Sequence, residues 1–137
     1  MNIAVDRPSI LLTPAFRDEM VSRPSLVAHI QELDWAELQD SSQLALRGLK
    51  TNARIVVAPT RDVNFDDLFQ LSRLYPGFSI GGLMVLQYCL NLEYPLYSMD
   101  TRMLKSAREL GIVRYELPGE GNRRTPKKEL MRMKIKP

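Results

Sequence analysis

Residues 77–112, "GFSIGGLMVLQYCLNLEYPLYSMDTRMLKSARELGI", constrain the fold more than any other stretch of the chain. Ser79 stands as a helix N-cap before a long apolar run, and "YPLYSM" (94–99) has the composition of a short strand. Asp100 then opens a second helix, and "IVRYEL" (112–117) follows as a further strand. Helices that alternate with strands in this way predict an α/β fold with a mainly parallel sheet.

The rest of the chain extends the same alternation. Thr13 and Pro14 mark the start of a helix directly after the short apolar run "SILLT" (9–13), which predicts a strand. The clearest strand is "ARIVVAP" (53–59), because it is β-branched and stops at a proline. The spacing of apolar residues predicts three more helices, at residues 24–33, 35–50 and 64–75. The whole pattern predicts a three-layer α/β sandwich, in which ligands bind outside the carboxyl ends of the strands.

The length of 137 residues fits one domain, which we place at residues 1–118, followed by a basic C-terminal tail at 119–137. One cysteine and one histidine permit no internal disulfide and supply no ligand set for structural zinc. No apolar run approaches the ~18–20 residues of a membrane span, and the N-terminus lacks the pattern of a signal peptide. We therefore expect a cytoplasmic protein with no membrane contact.

The net charge of +3 is unevenly distributed along the chain. Residues 122–137 contain seven of the 19 lysines and arginines and only one acid. Such a segment predicts a polyanionic partner, with RNA the first candidate, although a solvated tail that aids solubility has the same composition. The candidate nucleic-acid-binding residues are Arg123, Arg124, Lys127, Lys128 and Arg132.

Three acidic residues are candidates for a site at the carboxyl edge of the sheet. Asp100 is either a helix N-cap or a ligand of Mg²⁺ or Mn²⁺, which prefer hard oxygen donors. Glu19 is either a first-turn acid that the helix dipole favours or a second ligand. Asp6 follows the short run "NIAV" and is either a strand-end carboxylate or a terminal residue with no role.

From about residue 9 to residue 117 the chain resembles the PIN-like domain family, whose VapC-type members are toxin ribonucleases. "SIGGL" is similar to the family's "LSIGDA"-like turn, and "YSMD" is similar to its strand with a "T-x-D" ending. In that register Ser98 occupies the family's polar position and Asp100 its last acidic position. "ILLTPAFRDEM" resembles the family's second strand and following helix, with Glu19 as the helix acid.

The resemblance implies an acidic site in which three or four carboxylates bind one or two Mg²⁺ or Mn²⁺ ions. The metal ligands and catalytic residues that it implies here are Asp6, Glu19 and Asp100. Gly82 stands where the family has a further acid, so the resemblance also predicts a degenerate site.

The N-terminal residues fit the family pattern in two competing ways. If "NIAVDRPSILL" contains the first strand, Asp6 is its terminal acid. If "SILLT" is the second strand, too few residues precede it for a first strand and a crossover helix. We prefer the second interpretation, because the helix start at Thr13 and Pro14 is strong, and it makes the domain N-terminally shortened.

The sequence thus leads to two main hypotheses of function, and a purely structural dimer that does not bind nucleic acid remains as a third class. The first is a PIN-like binding or assembly module with a degenerate metal site, associated with RNA or a ribonucleoprotein and needing no cofactor. The alternative is an active endoribonuclease of the toxin type that depends on Mg²⁺ or Mn²⁺. Either form predicts a homodimer, a protein partner or an antitoxin beside RNA, and an exposed sheet edge offers one place for such contact.

Overall fold

Four short strands form the centre of the protein in a computed structural model that describes residues 1–118. The strands are β1 (Asn2–Val5), β2 (Val27–Gln31), β3 (Ile55–Ala58) and β4 (Leu96–Tyr97). The helices are α1 (Pro14–Ser22), α2 (Glu32–Ala36), α3 (Asp40–Thr51), α4 (Phe65–Leu74), α5 (Ile80–Leu92) and α6 (Thr101–Glu109). Two 3-10 turns lie at Pro8–Leu12 and Thr60–Asp62.

The sheet has the strand order β3-β2-β1-β4, and every pairing in it is parallel. Ile3 pairs with Ala28 on one side of β1, and Ala4 pairs with Leu96 on the other side. The chain therefore builds the sheet outward from β1 to β3 and then returns to add β4 on the opposite side. This arrangement confirms the predicted parallel α/β sheet.

Two hydrophobic clusters cover the two faces of the sheet, as the alternation of side chains along β1 requires. Ile3 and Val5 contribute to the cluster that packs beneath α1, α2 and α3. Ala4 contributes to the cluster that packs beneath α4, α5 and α6. The result is the three-layer sandwich that the sequence predicts.

The predicted helix starts are confirmed by their capping hydrogen bonds. The side chain of Thr13 accepts a hydrogen bond from the backbone of Phe16, and Pro14 occupies the first position of α1. Ser79 accepts from the backbone of Gly82 at the start of α5. Local chemistry thus fixes where these helices begin, as expected of N-caps.

The predicted strand at residues 9–13 is wrong. That segment lies in the 3-10 turn Pro8–Leu12, which buries Ile10 and Leu11 without adding a strand. Both edges of β1 are already paired, with β2 and β4, so no vacant edge beside β1 remains for it. The preferred interpretation, a shortened N-terminus without a first strand, is also wrong, because Asn2–Val5 is a paired strand at the centre of the sheet.

The predicted helix at residues 24–33 is also wrong, because the segment contains β2. Ala28, Ile30 and Gln31 are all buried, since β2 lies between β1 and β3 and has helices on both faces. A strand that is buried on both faces lacks the alternation of apolar and polar residues, so the spacing of its apolar residues can fit a helix equally well.

The predicted last strand, at residues 112–117, is reduced to a single parallel bridge between Leu96 and Arg114. The backbone of this segment exchanges two hydrogen bonds with Leu96, at 2.8 and 2.9 Å, and then leaves β4.

The helices of residues 1–118 are all too short or too polar to cross a membrane. The predicted basic residues between Arg123 and Arg132 lie outside the described residues.

Candidate functional site

The strand order creates a position where two chain directions diverge. From β1 the chain proceeds to β2 on one side, whereas β4 joins β1 from the other side. Ligands of open parallel sheets bind at such a switch point, outside the carboxyl ends of the strands. Asp6 follows β1 directly, and Ser98 and Asp100 follow β4. The structure therefore brings these three polar residues to the expected edge.

A cleft of about 620 Å³ opens at this edge of the sheet. Its lining includes four acidic side chains, those of Asp6, Asp34, Glu37 and Asp100. Arg7 is the one basic residue among the described residues that line it. The cleft is thus strongly acidic and is formed from the ends of three neighbouring strands.

Asp6 is held in place by one hydrogen bond and leaves one oxygen unsatisfied. The hydroxyl of Ser98 donates to Asp6 Oδ2 at 2.7 Å. Asp6 Oδ1 is buried and has no hydrogen-bond partner among the described residues. Burial raises the pKa of Asp6, although Ser98 and Arg7 oppose that rise. A buried carboxylate oxygen without a donor is costly, and a cation is one species that would satisfy it.

Asp34 is a site residue that the sequence interpretation missed. It lies in α2, one turn after the end of β2, and its Oδ2 is buried without a partner among residues 1–118. Burial raises the pKa of Asp34 to about 6, and the charges of Glu37 and Asp6 add to the effect. Asp34 and Asp6 both line the cleft.

The sequence predicts the location of Asp34 and Glu37 at the cleft only if β2 is assigned correctly. Both acids follow β2 within "ELDWAE", so a strand at Val27–Gln31 puts them at the carboxyl edge of the sheet. With helices predicted at residues 24–33 and 35–50 instead, Asp34 lies between the two and Glu37 lies in the second, so neither is predicted at the edge of the sheet.

Asp100 has the N-cap role that its sequence position allows, and its side chain also lines the cleft. Its Oδ1 accepts hydrogen bonds from the backbone of Arg102 at 2.9 Å and of Met103 at 3.3 Å, which caps α6. Its Oδ2 faces Arg7 Nη2 at 3.5 Å across the cleft. The side chain of Arg7 is 66% exposed, so this ion pair contributes little to stability and can open.

Ser98 connects the two strand-end aspartates. Its side chain is buried, donates to Asp6 and accepts a hydrogen bond from the backbone N–H of Asp100 at 3.0 Å. The hydroxyl therefore fixes the position of Asp6 relative to the start of α6. The predicted polar position beside the site is thus occupied by a residue with a positioning role.

The structure places Glu19 away from the cleft. Its carboxylate is buried, and Oε2 accepts a hydrogen bond from the hydroxyl of Tyr115 at 2.8 Å. Its other oxygen lies 3.5 Å from Arg23 Nε. Glu19 is the sixth residue of α1, so it is not the first-turn acid that the sequence also suggested. We assign it a structural role, joining α1 to the segment that follows α6.

Gly82 lies at the cleft, at the third position of α5. A Cβ atom added there would approach the terminal methyl of Met103 to 3.3 Å, a contact that a flexible side chain can relieve. A Cβ on the adjacent Gly81 would lie 3.5 Å from Asp34 Oδ1. Gly81 is therefore the glycine beside Asp34, whereas Gly82, where the family resemblance implies a carboxylate, packs close to Met103, Phe78 and Ser79.

The side chains fit a hydrated divalent cation better than a fully ligated one. Within residues 1–118, no three histidine, cysteine, aspartate or glutamate side chains are grouped closely enough to form a complete metal site. Mg²⁺ usually retains several waters and needs only one or two carboxylates from the protein. The two unsatisfied oxygens, Asp6 Oδ1 and Asp34 Oδ2, meet that smaller requirement.

Comparison of the chain with protein-family models, with curated proteins and with solved structures finds no match. The geometry of the cleft and the chemistry of its side chains therefore carry the functional argument.

Proposed function

We propose that the chain is a PIN-like, RNA-associated module whose acidic cleft holds one Mg²⁺ or Mn²⁺ ion against the phosphates of bound RNA. The observation that supports this proposal best is the pair of buried, unsatisfied oxygens, Asp6 Oδ1 and Asp34 Oδ2, at one cleft. Asp6 and Asp34 would hold the ion, and Asp100 faces the same space.

The charge of the cleft explains why a cation and RNA would bind together. Four acids and one arginine line it, so the cleft repels a polyanion when no cation is present. A divalent ion would offset most of this negative charge, and RNA phosphates would supply the ligands that the protein lacks. Under the proposal, the basic residues of 122–137 add phosphate contacts that do not depend on sequence.

The degenerate site favours binding over catalysis. Gly82 contributes no carboxylate, and Arg7 forms an ion pair with Asp100. Both features weaken the negative field that would hold a second metal ion. The proposal therefore assigns the cleft one weakly held cation that binds more tightly when RNA is present.

Endoribonuclease activity is the second candidate function, and one observation favours it. Asp6 and Asp100 lie on the two sides of the switch point, and Ser98 fixes their relative position. A bound divalent ion supplies an activated water and stabilises the charge of a phosphodiester transition state. The residues that this candidate requires are Asp6, Asp34 and Asp100.

Binding of Mn²⁺ tests the proposal directly. We expect electron paramagnetic resonance titrations to show one Mn²⁺ site, with affinity reduced at least tenfold in Asp6→Asn and in Asp34→Asn. Asp18→Asn is the matched control, because Asp18 is exposed on α1 and loses the same charge. Equal affinity in all four proteins would exclude the cleft as the metal site.

Incubation of RNA with the protein and Mn²⁺ separates the two candidates. Salt-sensitive binding without cleavage supports the module, whereas cleavage that Asp6→Asn and Asp100→Asn abolish supports the nuclease. Asparagine at position 100 retains helix capping, so loss of cleavage there reports the carboxylate. Cleavage that survives both substitutions comes from a contaminating enzyme.

The remaining partners belong to the same proposal. It includes a cytoplasmic location and contact with a second copy, another protein or an antitoxin. Size-exclusion chromatography with light scattering checks the homodimer, for which a mass near twice 15.7 kDa is expected.

A further inference from the structure

A second cavity, of about 330 Å³, lies between α6, the start of β4 and the segment after α6. Its walls include the apolar side chains of Leu96, Leu104 and Ile112. Its volume falls at the lower end of the range for small-molecule sites. It is independent of the acidic cleft, which lies at the other end of α6 near Asp100.

Three cationic side chains line this cavity, and none of the lining residues among those described is acidic. Lys105 and Arg108 are three residues apart on α6, so they share a face of the helix. Arg114 approaches from the segment that bridges to Leu96. Three like charges around an apolar pocket repel one another, and an anionic ligand would relieve that repulsion.

Arg114 also has an unused hydrogen-bond donor. Its Nη1 lies 3.4 Å from Glu116 Oε1, which neutralises part of its charge. Its Nε is buried and has no acceptor in the part of the chain that the structure describes. A guanidinium with a free donor on its Nε edge is suited to an anion with more than one oxygen.

We propose that this cavity, which we call the α6 pocket, binds a small phosphate monoester with an apolar or ring-bearing body. Three cations and the nearby Glu116 leave a net charge close to that which a dianionic phosphate neutralises. The phosphate would contact Lys105, Arg108 and Arg114. The body of the ligand would pack on Leu96, Leu104 and Ile112.

The position of the α6 pocket gives it a role separate from that of the acidic cleft. Asp100 and Arg108 are eight residues apart along α6, a distance of about 12 Å at the rise of an α-helix. A ligand in the pocket would touch both α6 and the segment that holds Tyr115, the partner of Glu19. The pocket and the acidic cleft have no lining residue in common, so binding in the pocket does not depend on the function proposed for the cleft.

Phenyl phosphate, inorganic phosphate and phenol are the probes that test the proposal with the full chain. We expect phenyl phosphate to produce saturable shifts in amide NMR signals of residues 104–108 and 112–114. Inorganic phosphate should bind there at least fivefold more weakly, and phenol should not bind at the concentrations used. The comparison distinguishes a phosphate ester from free phosphate and from an apolar ligand.

Substitution of the two exposed cations supplies the second test. The double variant Lys105→Met with Arg108→Met should bind phenyl phosphate at least tenfold more weakly. The control is Arg17→Met with Arg73→Met, which removes the same charge from exposed positions on α1 and α4. The control should bind as the unmodified protein does.

Three results would overturn the proposal. Equal loss of affinity in the control would show that net charge alone attracts the probe. Saturable shifts confined to residues outside the pocket would place the binding site elsewhere, the basic residues of 122–137 included. Equal affinities for phenyl phosphate and inorganic phosphate would show that the apolar walls of the pocket do not contribute to binding.

Discussion

At the scale of single residues, His29 illustrates how burial controls protonation. It lies in β2, is only 8% exposed, and contacts the rings of Tyr88 and Tyr94. Its ring nitrogens lie 2.7 Å from Tyr88 Oη and 2.9 Å from Asn2 Oδ1. The neutral ring satisfies both contacts if Nε2–H donates to Asn2 and Nδ1 accepts from the tyrosine. Burial lowers the pKa of His29 from 6.5 to about 4.

This pKa predicts a loss of stability in acid. Between pH 6.5 and pH 4 the unfolded chain binds a proton at His29 that the folded protein excludes, so stability falls as the pH falls. The contribution is about 3 kcal/mol between pH 7 and pH 4. Urea unfolding across this range should show that His29→Gln removes this part of the pH dependence. Parallel curves for the two proteins would contradict the assigned pKa.

Gly82 provides a prediction of gained function. Gly82→Asp adds a carboxylate beside the cleft, so the affinity for Mn²⁺ should rise about tenfold, or about 1.4 kcal/mol. The metal-free variant should melt at a lower temperature, because a fifth acid joins the cleft. Gly48→Asp is the control, since Gly48 lies on exposed α3 with nothing within 4 Å of an added Cβ. An unchanged affinity would mean that position 82 does not face the ion.

At the scale of helices and strands, the segment from β3 to α6 could be predicted more completely than the segment before it, where the start of α1 is right but β1 and β2 are not. The caps at Ser79 and Asp100 are local, because a side chain contacts backbone groups only a few residues away. The identity of β2 is not local, since it depends on β1 and β3 pairing on both of its sides. The predicted helix at 24–33 failed because apolar spacing cannot reveal such neighbours.

The candidate site followed the same division. Asp100 lines the cleft and the buried Ser98 holds Asp6 beside it, and both positions follow from the strand and helix that the sequence predicts around residues 94–110. Asp34 and Glu37 were missed because their position depends on β2. The prediction of Glu19 as a site residue depends on a strand at residues 9–13. That segment forms a 3-10 turn, and Glu19 instead accepts a hydrogen bond from Tyr115.

Arg54, which precedes β3, is hydrogen-bonded to the end of α1 and to the segment that follows it, so its removal should lower stability strongly. Its guanidinium donates to the backbone oxygens of Leu26, Met20 and Arg23, between 2.6 and 3.0 Å away. Arg54→Met should lower the free energy of unfolding by about 2 to 4 kcal/mol, because three carbonyls lose a charged donor.

Two further variants make the Arg54 test specific. Arg54→Lys should recover little of the loss, since one ammonium cannot reproduce the planar set of donors. Arg47→Met removes an exposed arginine of α3 and should change stability by less than about 0.5 kcal/mol. Chemical denaturation of all three variants checks the prediction, and full recovery in Arg54→Lys would refute it.

At the scale of the whole molecule, the two hydrophobic clusters that the described residues form extend from Ile3 to Leu117 and cover both faces of the sheet. A chain that ends at Pro118 should therefore keep its melting temperature to within a few degrees. Its RNA affinity should fall, and the slope of log affinity against log salt should lessen by up to about 5, from seven lost cations at about 0.7 each.

Replacement of the same seven cations by glutamine in the full chain is the control for that truncation. It retains the length of the chain and should reproduce the change in salt slope. Fluorescence anisotropy with a labelled single-stranded RNA measures both variants. If either variant retains the original slope, the residues of 122–137 do not contact RNA phosphates.

The central position of β1 has a consequence for how the protein acquires its structure. β1 leaves the ribosome before both of its neighbours, and Ala4 finds its partner Leu96 only after 92 further residues have been made. Such distant pairing raises the relative contact order, and folding rates decrease as contact order increases. Synthesis must therefore proceed through β4 before β1 can pair on both of its sides. The acidic cleft, which needs the ends of β1, β2 and β4 together, is consequently among the last features of the molecule to exist.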